Sequence, residues 1–382
     1  MMERANLYRF PWSKNDNPNG WIEITTHCNM ACPGCYRGCD RKDNIQEHKP
    51  FEEIKKEIIL LKKIRNCQTI SISGGEPLMH PDILKIVNFI QKQKLNSFLF
   101  TNGVLLNKEF LIELKRNGLT GASIRIDSSK ENEKKLNPIL LNSIKERYCN
   151  LFEKVGGVVL GFTYVIDKKN LELVPLLVKW FKTNAKNSEI LVLITFRQVI
   201  LKKGEKIKKN SWVTIPEVCG EIGKNFPELT YAAFLGSVAE EDRIKWLYSF
   251  WVSLDGENLG YTGGKFIEIT QIINHFFKRK YFYVLRKREY SPSFLSIFLL
   301  SFFEKSARKI IKNYFLAILK NPKRLLKKMH IQQILMINPP GLVDGKRDFC
   351  DACPDATFYK GKLVPSCGLE EFKRFGKPYE LK

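Results

Sequence analysis

Ile22-Glu23-Ile24-Thr25-Thr26-His27-Cys28-Asn29-Met30-Ala31-Cys32-Pro33-Gly34-Cys35-Tyr36 opens as an apolar strand pattern and empties into a loop that holds three cysteines. Cys28, Cys32 and Cys35 stand in CxxxCxxC spacing, and three thiols so placed need a metal centre. Iron-sulfur clusters are held by thiolates, and three of them on one loop can fill one face of a cubane while one iron keeps no protein ligand. An iron with an open position can bind and reduce a small chelating molecule, whereas sites closed by four thiolates serve structure or electron transfer. A structural zinc site is the other reading, because CxxC pairs are common zinc knuckles and the spacing alone does not exclude one.

The next strand bears on that choice. Thr69 to Ser73 reads T-I-S-I-S and runs directly into Gly74, Gly75, Glu76 and Pro77. Two glycines at a strand end let backbone N–H and C=O groups come close to a ligand, which fits holding an amino group beside an open iron. The pair of motifs, C-N-M-A-C-P-G-C and G-G-E-P, resembles the cluster loop and the methionine-binding turn of the radical S-adenosylmethionine (radical SAM) superfamily.

At 382 residues the chain exceeds the usual size of a single core, so a main domain with an appended one or a large insertion is expected. The ten cysteines could suggest a disulfide framework, yet M-M-E-R-A-N-L-Y-R-F-P-W shows no charged-then-apolar leader, and a reducing cytoplasm is expected. The cysteines then read as ligands or core residues. Cys39, Cys67, Cys149 and Cys219 are isolated and read as small buried hydrophobes.

Residues 1–19 read as an irregular lead-in. A repeating pattern follows, with strands expected at Trp21–Thr26, Thr69–Ser73, Ser97–Phe100, Ala122–Asp127, Val158–Ile166 and Ile190–Phe196. Between them, helical periodicity marks Pro50 onward, Pro81 onward, Lys108–Asn117, a lysine-rich stretch, and Leu171–Phe181. Near-continuous apolar strands alternating with amphipathic helices argue for a parallel sheet. Six such units resemble the partial (βα)6 barrel of the radical SAM core, an α/β TIM-type architecture expected over residues 20–205. In parallel βα folds ligands gather at the carboxyl ends of the strands, where the cluster loop, G-G-E-P, Thr101-Asn102-Gly103 and Asp127 all fall.

Residues 206–345 are expected to hold a hairpin at Trp246–Phe266 and a basic helical insertion. From Phe276 to His330 fifteen Lys and Arg face two Glu, a net +13 and more than half of the chain's +23. F-L-S-I-F-L-L-S-F-F is too short to span a bilayer, which takes roughly 20 apolar residues. Beyond it Ile310, Ile311, Tyr314, Phe315, Ile318 and Leu319 form one helical stripe between basic residues. Two readings stand: a helix that covers the barrel with a solvated basic face, or one lying in a membrane interface with that face toward anionic headgroups.

Residues 346–382 carry Cys350, Cys353 and Cys367, a CxxC followed by thirteen residues and a third thiol. The intervening T-F-Y-K-G-K-L-V reads as a short hairpin, which returns Cys367 beside the knuckle. Zinc with a fourth ligand from elsewhere is one reading. The segment is also similar to the twitch or SPASM-like extensions of radical SAM enzymes that carry an auxiliary 4Fe-4S cluster, with spacing like that of the molybdenum-cofactor enzyme that rearranges GTP. This chain ends F-G-K-P-Y-E-L-K rather than in that family's Gly-Gly tail, which counts against expecting the GTP reaction itself. Cys219, Asp351 and Asp355 are candidate fourth ligands.

The resemblance implies that Cys28, Cys32 and Cys35 hold a 4Fe-4S cluster whose open iron site is chelated by S-adenosylmethionine, cleaved on one-electron reduction by a donor such as flavodoxin or ferredoxin. It places Gly74, Gly75 and Glu76 at the methionine end, Thr101, Asn102, Arg125 and Asp127 at its carboxylate and ribose, and Tyr36 at adenine, since Gly34 occupies the position where many members carry an aromatic residue. The substrate is not legible; the basic segment favours an anionic or membrane-associated one. The rival reading is a non-catalytic zinc or iron-sulfur protein that binds nucleic acid through its basic patch.

Overall fold

The apolar runs that mark strands are buried because the chain lays helices against both faces of one sheet. The computed structural model describes residues 6–126, 138–199, 202, 209–239, 243–283 and 286–378. In chain order the main strands are β1 (Tyr8–Arg9), β2 (Asn19–Glu23), β3 (Thr69–Ser73), β4 (Asn96–Thr101), β5 (Leu119–Arg125), β6 (Val159–Ile166) and β7 (Ile190–Thr195). They are followed by β8 (Ala233–Leu235), β9 (Trp246–Leu254), β10 (Glu257–Tyr261) and β11 (Met329–Ile337), then the short strands β12 (Leu342–Val343), β13 (Lys346–Arg347), β14 (Ala356–Tyr359) and β15 (Lys362–Pro365). The helices are α1 (Phe51–Arg65), α2 (Ile83–Lys92), α3 (Lys108–Arg116), α4 (Pro138–Val155), α5 (Val174–Thr183), α6 (Ile215–Asn225), α7 (Gly264–Lys278), α8 (Phe294–Ser301), α9 (Lys305–Lys320) and α10 (Leu369–Phe375).

Strands β2 to β7 lie side by side in sequence order and parallel, the partial (βα)6 barrel expected. Asp127 lies outside the described residues. The sheet then continues past the sixth unit: β11 is parallel to β7, β9 antiparallel to β11, β8 antiparallel to β9, and β1 closes the row parallel to β8. Residues 206–345 therefore add strands to the same sheet. The hairpin at Trp246 turns on Asp255 and Gly256, both left-handed at φ 52° and 81°, the backbone that a two-residue hairpin turn needs. It ends at Tyr261, and Gly264–Phe266 start α7.

Alternate residues feed two cores. Leu99, Leu160, Phe162, Leu191 and Leu193 meet Ile54, Ile58, Ile86, Val87 and Val178 of the outer helices. Phe98, Val159, Ile190 and Val192 face the opposite way and pack with Tyr248, Phe250, Ile267, Ile297, Ile310 and Tyr314, so α7 to α9 share a core with the other face of the sheet. Helix ends follow the sequence chemistry: α1 carries Glu52 and Glu53 in its first turn and Lys62, Lys63 and Arg65 in its last, with Asn66 left-handed beyond it.

The carboxyl-terminal segment bridges the two edges of the sheet. On one side Val238 and Asp351 donate backbone N–H groups to Phe349 and Gly236, and Arg9 pairs with Asp351 at 2.8 Å. On the other side Asn17 Nδ2 donates to Ala352 O at 3.2 Å, Asn19 Nδ2 donates to Pro354 O at 3.3 Å, and Arg65 Nη2 donates to Cys353 O at 2.7 Å. The β14–β15 hairpin, turning on Lys360 and Gly361 at φ 47° and 76°, packs against edge strand β2. An open sheet edge is thereby covered.

Candidate active site

The loop that leaves β2 is closed at its neck. Thr26 donates its N–H to Glu47 O at 3.0 Å, and Lys49 donates to Ile24 O at 2.9 Å. His48 Nδ1 stands 2.9 Å from Thr25 Oγ1, and the His27, His48 and His80 rings follow one another at centroid distances of 5.4 and 5.2 Å. Burial, with the charges of His80 and His27, holds the His48 pKa below its ordinary value. Inside the neck the chain turns tightly: Cys35 donates its N–H to Cys32 O, Gly38 donates to Cys35 O, and Gly34 donates to Asp40 Oδ2 at 2.9 Å. Gly34 sits at φ 71°, and a Cβ there would come within 2.7 Å of the Phe196 ring, so this position cannot carry a side chain without a shift.

Cys39 is not the isolated hydrophobe that its spacing suggests. Its thiol, which donates to Thr26 O at 3.7 Å, stands beside Cys28 and Cys35, and its interaction with them is the largest cause lowering the pKa of each. Cys35 falls to about 6, helped by the backbone N–H groups of Cys39 and Arg37 and by the Arg125 charge. Cys39 itself is pushed far up. Thiolates are the metal-binding form, so the loop is poised for a metal centre. Among the described residues no three His, Cys, Asp or Glu side chains converge as they would on one metal ion. Three thiols on one loop fit a cluster that leaves one iron without a protein ligand.

The G-G-E-P turn is built onto this loop. Gly75 donates its N–H to Thr25 O at 2.7 Å, and Glu76 donates to His27 O at 2.8 Å. A Cβ on Gly74 would lie 2.4 Å from Thr25 O and one on Gly75 2.3 Å from His27 O, so the glycines permit an approach of two backbones. The Gly75 and Glu76 N–H groups are thus taken up by the cysteine loop. Glu76 is buried, and its carboxylate accepts from Thr101 Oγ1 at 2.6 Å, Asn102 N at 2.7 Å and Leu78 N at 3.0 Å. Burial raises its pKa, and those three donors oppose the rise. Asn102 Nδ2 in turn donates to Asn29 Oδ1 at 2.7 Å. The ends of β3 and β4 are thus bonded into the cysteine loop, and Arg125, the last residue of β5, acts on Cys35 by its charge.

Residues 22–180, which contain both motifs, match the sequence profile of the Radical SAM superfamily. The chain carries a radical SAM domain. Enzymes of this superfamily use a 4Fe-4S cluster and S-adenosylmethionine. The chain is 26% identical over 173 residues to the Fe-coproporphyrin III synthase of Methanosarcina barkeri, covering 45% of this chain and 42% of that protein. It is 29% identical over 236 residues to a GTP 3',8-cyclase of Clostridium perfringens, covering 53% of this chain and 70% of that one. A 7,8-dihydro-6-hydroxymethylpterin dimethyltransferase of Methanocaldococcus jannaschii is 28% identical over 234 residues, covering 58% and 43%. The chain thus spans less than half the length of two of these relatives. Among solved structures, Streptococcus suis SuiB aligns at 18% identity with a TM-score of 0.44 over 57% of this chain and 50% of that one. Hexahistidine-tagged anSMEcpe with bound AdoMet aligns at 22% identity with a TM-score of 0.41 over 54% of this chain and 56% of that one.

Within the radical SAM domain Tyr36 turns into the barrel wall. Its hydroxyl donates to Glu23 Oε1 at 3.2 Å and lies 3.1 Å from Ser73 Oγ, and burial with the Glu23 charge raises its pKa. Beside it Arg37, 2% exposed, faces Glu23 at 3.3 Å and Glu370 of α10 at 2.6 Å. This triad ties the radical SAM loop to the carboxyl-terminal extension. A cleft of ≈ 600 Å³ opens between them, lined by Arg37, His48, Glu57, Tyr359 and Lys360 among others.

In the second cysteine set, interaction with Cys350, then burial and the Cys367 charge, raise the Cys353 pKa, and burial with the Cys350 charge raises that of Cys367. Of the candidate fourth ligands, Asp351 is paired with Arg9, and Asp355 accepts from Asn19 Nδ2 at 3.1 Å while acting on Cys353 and Cys367 by its charge. Cys219 is on α6, where its thiol contacts Met336 Sδ at 3.8 Å. Cys67 and Cys149 are buried, as expected. Sequence reasoning missed Cys39, Arg37 and Glu370. The only sign of Cys39 was a fourth thiol soon after Cys35; the ion pairs gave none.

Proposed function

We propose that this protein reductively cleaves S-adenosylmethionine at a 4Fe-4S cluster held by Cys28, Cys32 and Cys35. When bound, that pair of groups supplies a one-electron cleavage of the sulfonium and a 5'-deoxyadenosyl radical that takes a hydrogen atom from substrate. The chain's own part is to bind, orient and exclude water. Cys39 and Arg125 favour the thiolate form of the loop cysteines. Gly74, Gly75 and Glu76 hold the methionine end; Thr101 and Asn102 fix the Glu76 carboxylate from two sides. Tyr36 anchors the loop through Glu23 and Ser73 and flanks the adenine position. Cys350, Cys353 and Cys367 hold a second 4Fe-4S cluster, and a flavodoxin or ferredoxin delivers the electron. The substrate is anionic or membrane-associated, a reading supported by the +13 of residues 276–330.

The observation that carries the proposal is the direct bonding of the G-G-E-P turn onto the cysteine loop, Gly75 N–H to Thr25 O and Glu76 N–H to His27 O. The test is S-adenosylmethionine binding and cleavage by the reconstituted protein and by Glu76→Gln, which exchanges an acceptor for a donor opposite Asn102 N–H. Weakened S-adenosylmethionine binding in the variant, with iron content kept, is the expected result. Unchanged binding removes Glu76 from the site.

A further inference from the structure

Half of the apolar stripe that the sequence places on α9 is turned inward: Ile310, Ile311 and Tyr314 are buried in the core shared with the sheet, whereas Phe315 and Leu319 are exposed. Those two belong to an apolar surface that stands outside the core. Phe302 is 66% exposed and Phe303 73%, in the turn that follows α8; Leu319 is 78% exposed on α9, and Leu326 89% in the 3-10 turn Pro322–Leu326. It is continuous across the helix pair, because Phe294 packs on Phe298 at 5.8 Å, Phe298 on Phe302 at 5.2 Å, and Phe294 on Phe315 of α9 at 5.7 Å. Large exposed apolar patches mark interaction sites.

Its rim is cationic. Lys305, Arg308, Lys309, Lys312 and Lys323 are exposed around it, while Lys320 beside them reaches Glu257 at 3.7 Å. The segment's two acids do not balance them. Glu304 is buried as the cap of α9, bonded to the Ala307 N–H, and Glu289 caps its own turn at Arg286. Among the described residues no helix is long and apolar enough to cross a membrane. Short helices that expose Phe and Leu inside a ring of Lys and Arg have the chemistry of a surface that lies in the headgroup region.

We infer that α8, α9 and the Pro322–Leu326 turn form a docking surface for an anionic lipid bilayer, with Phe302, Phe303, Leu319 and Leu326 entering the acyl boundary and the basic rim on the headgroups. Charge complementarity selects the occupant. A second copy of the chain would bring the same uncompensated cations against these. Nucleic acid would satisfy the cations and leave the leucines without a partner. The surface stands on its own observations and does not depend on the radical chemistry.

The test is flotation of the full-length protein with vesicles of about 30% phosphatidylglycerol in phosphatidylcholine, and with pure phosphatidylcholine, at low and high salt. Binding to the anionic vesicles at low salt, about tenfold above the neutral ones, is the expected result. Phe302→Ser/Phe303→Ser/Leu326→Ser and, separately, Lys305→Glu/Arg308→Glu/Lys309→Glu should each lower the bound fraction about tenfold, with unchanged melting curves because every replaced side chain is exposed. No flotation at low salt overturns the inference, as does flotation that neither variant weakens. Self-association or nucleic-acid binding lost in the variants, without vesicle binding, reassigns the face to that partner. S-adenosylmethionine cleavage in vesicle-free solution should be the same in all three proteins; its absence from all of them counts against the radical reading and leaves the flotation result standing.

Discussion

Arg37→Met tests whether the cysteine loop and the carboxyl-terminal extension are held together by buried charge. Arg37 is 2% exposed between Glu23 at 3.3 Å and Glu370 at 2.6 Å, and its removal leaves two buried carboxylates without their cation. Breaking a buried ion pair from one side costs about 3–5 kcal/mol. Here the low end, about 3 kcal/mol, is expected, for three reasons. The contacts are charge contacts and not aligned hydrogen bonds; Glu23 keeps bonds from Trp21 Nε1 at 2.7 Å and from the Tyr36 hydroxyl; and Lys373 stands 3.5 Å from Glu370. Urea unfolding of Arg37→Met, Glu370→Gln and the double variant measures it, with proteolysis of the 356–365 hairpin as a local probe. The double variant should cost less than the two single changes together by at least about 0.5 kcal/mol. Singles within about 0.5 kcal/mol of the parent, or strictly additive costs, would refute the linkage.

Three further outcomes follow from the same geometry. Gly75→Ala puts a Cβ 2.3 Å from the His27 carbonyl oxygen, a backbone contact that cannot yield cheaply, and should cost about 1–3 kcal/mol in urea unfolding together with iron retention; a variant of parental stability contradicts the packing. Lys145 is 2% exposed, its Nζ 4.3 Å from the Trp180 ring centre, and burial lowers its pKa from 10.5 to about 8. The unfolded chain therefore binds the proton more tightly, stability gains as pH rises from about 8 to 10.5, and the buried cation costs about 3 kcal/mol at neutral pH; Lys145→Met should raise the melting temperature at pH 7 and lose that advantage above pH 10.5, and a constant difference across pH refutes it. Cys39→Ser should retain the iron bound at the loop, whereas Cys28→Ala, Cys32→Ala and Cys35→Ala should each lose it; iron analysis separates them, and loss in Cys39→Ser would make Cys39 a required ligand.

The parallel core was legible because its strands are buried on both faces. Thr69–Ser73 ends where T-I-S-I-S ends, and Ile190–Thr195 stops one residue short of its apolar run. Strand β11 was not legible. Gln332 and Gln333 interrupt its apolar pattern, and Gln332 is buried because it donates to Phe181 O at 2.6 Å and Ser188 O at 3.0 Å and accepts from Trp251 Nε1 at 3.0 Å. Those partners come from α5, the loop after it and β9, so the strand follows from tertiary contacts and not from local pattern. Within the site, spacing picked out the six cysteines proposed as ligands, and the place of Cys39 beside them required knowing how the loop folds back. The same limit hid the Arg37–Glu370 pair, whose members lie at opposite ends of the chain.

The most direct test of the central claim is iron and sulfide analysis with electron paramagnetic resonance on anaerobically reconstituted protein, followed by a 5'-deoxyadenosine assay after dithionite and S-adenosylmethionine are added. About eight irons per chain and nucleoside release, with about four irons lost in the Cys28/Cys32/Cys35 triple variant, are predicted. Zinc alone, with no nucleoside, would contradict the account.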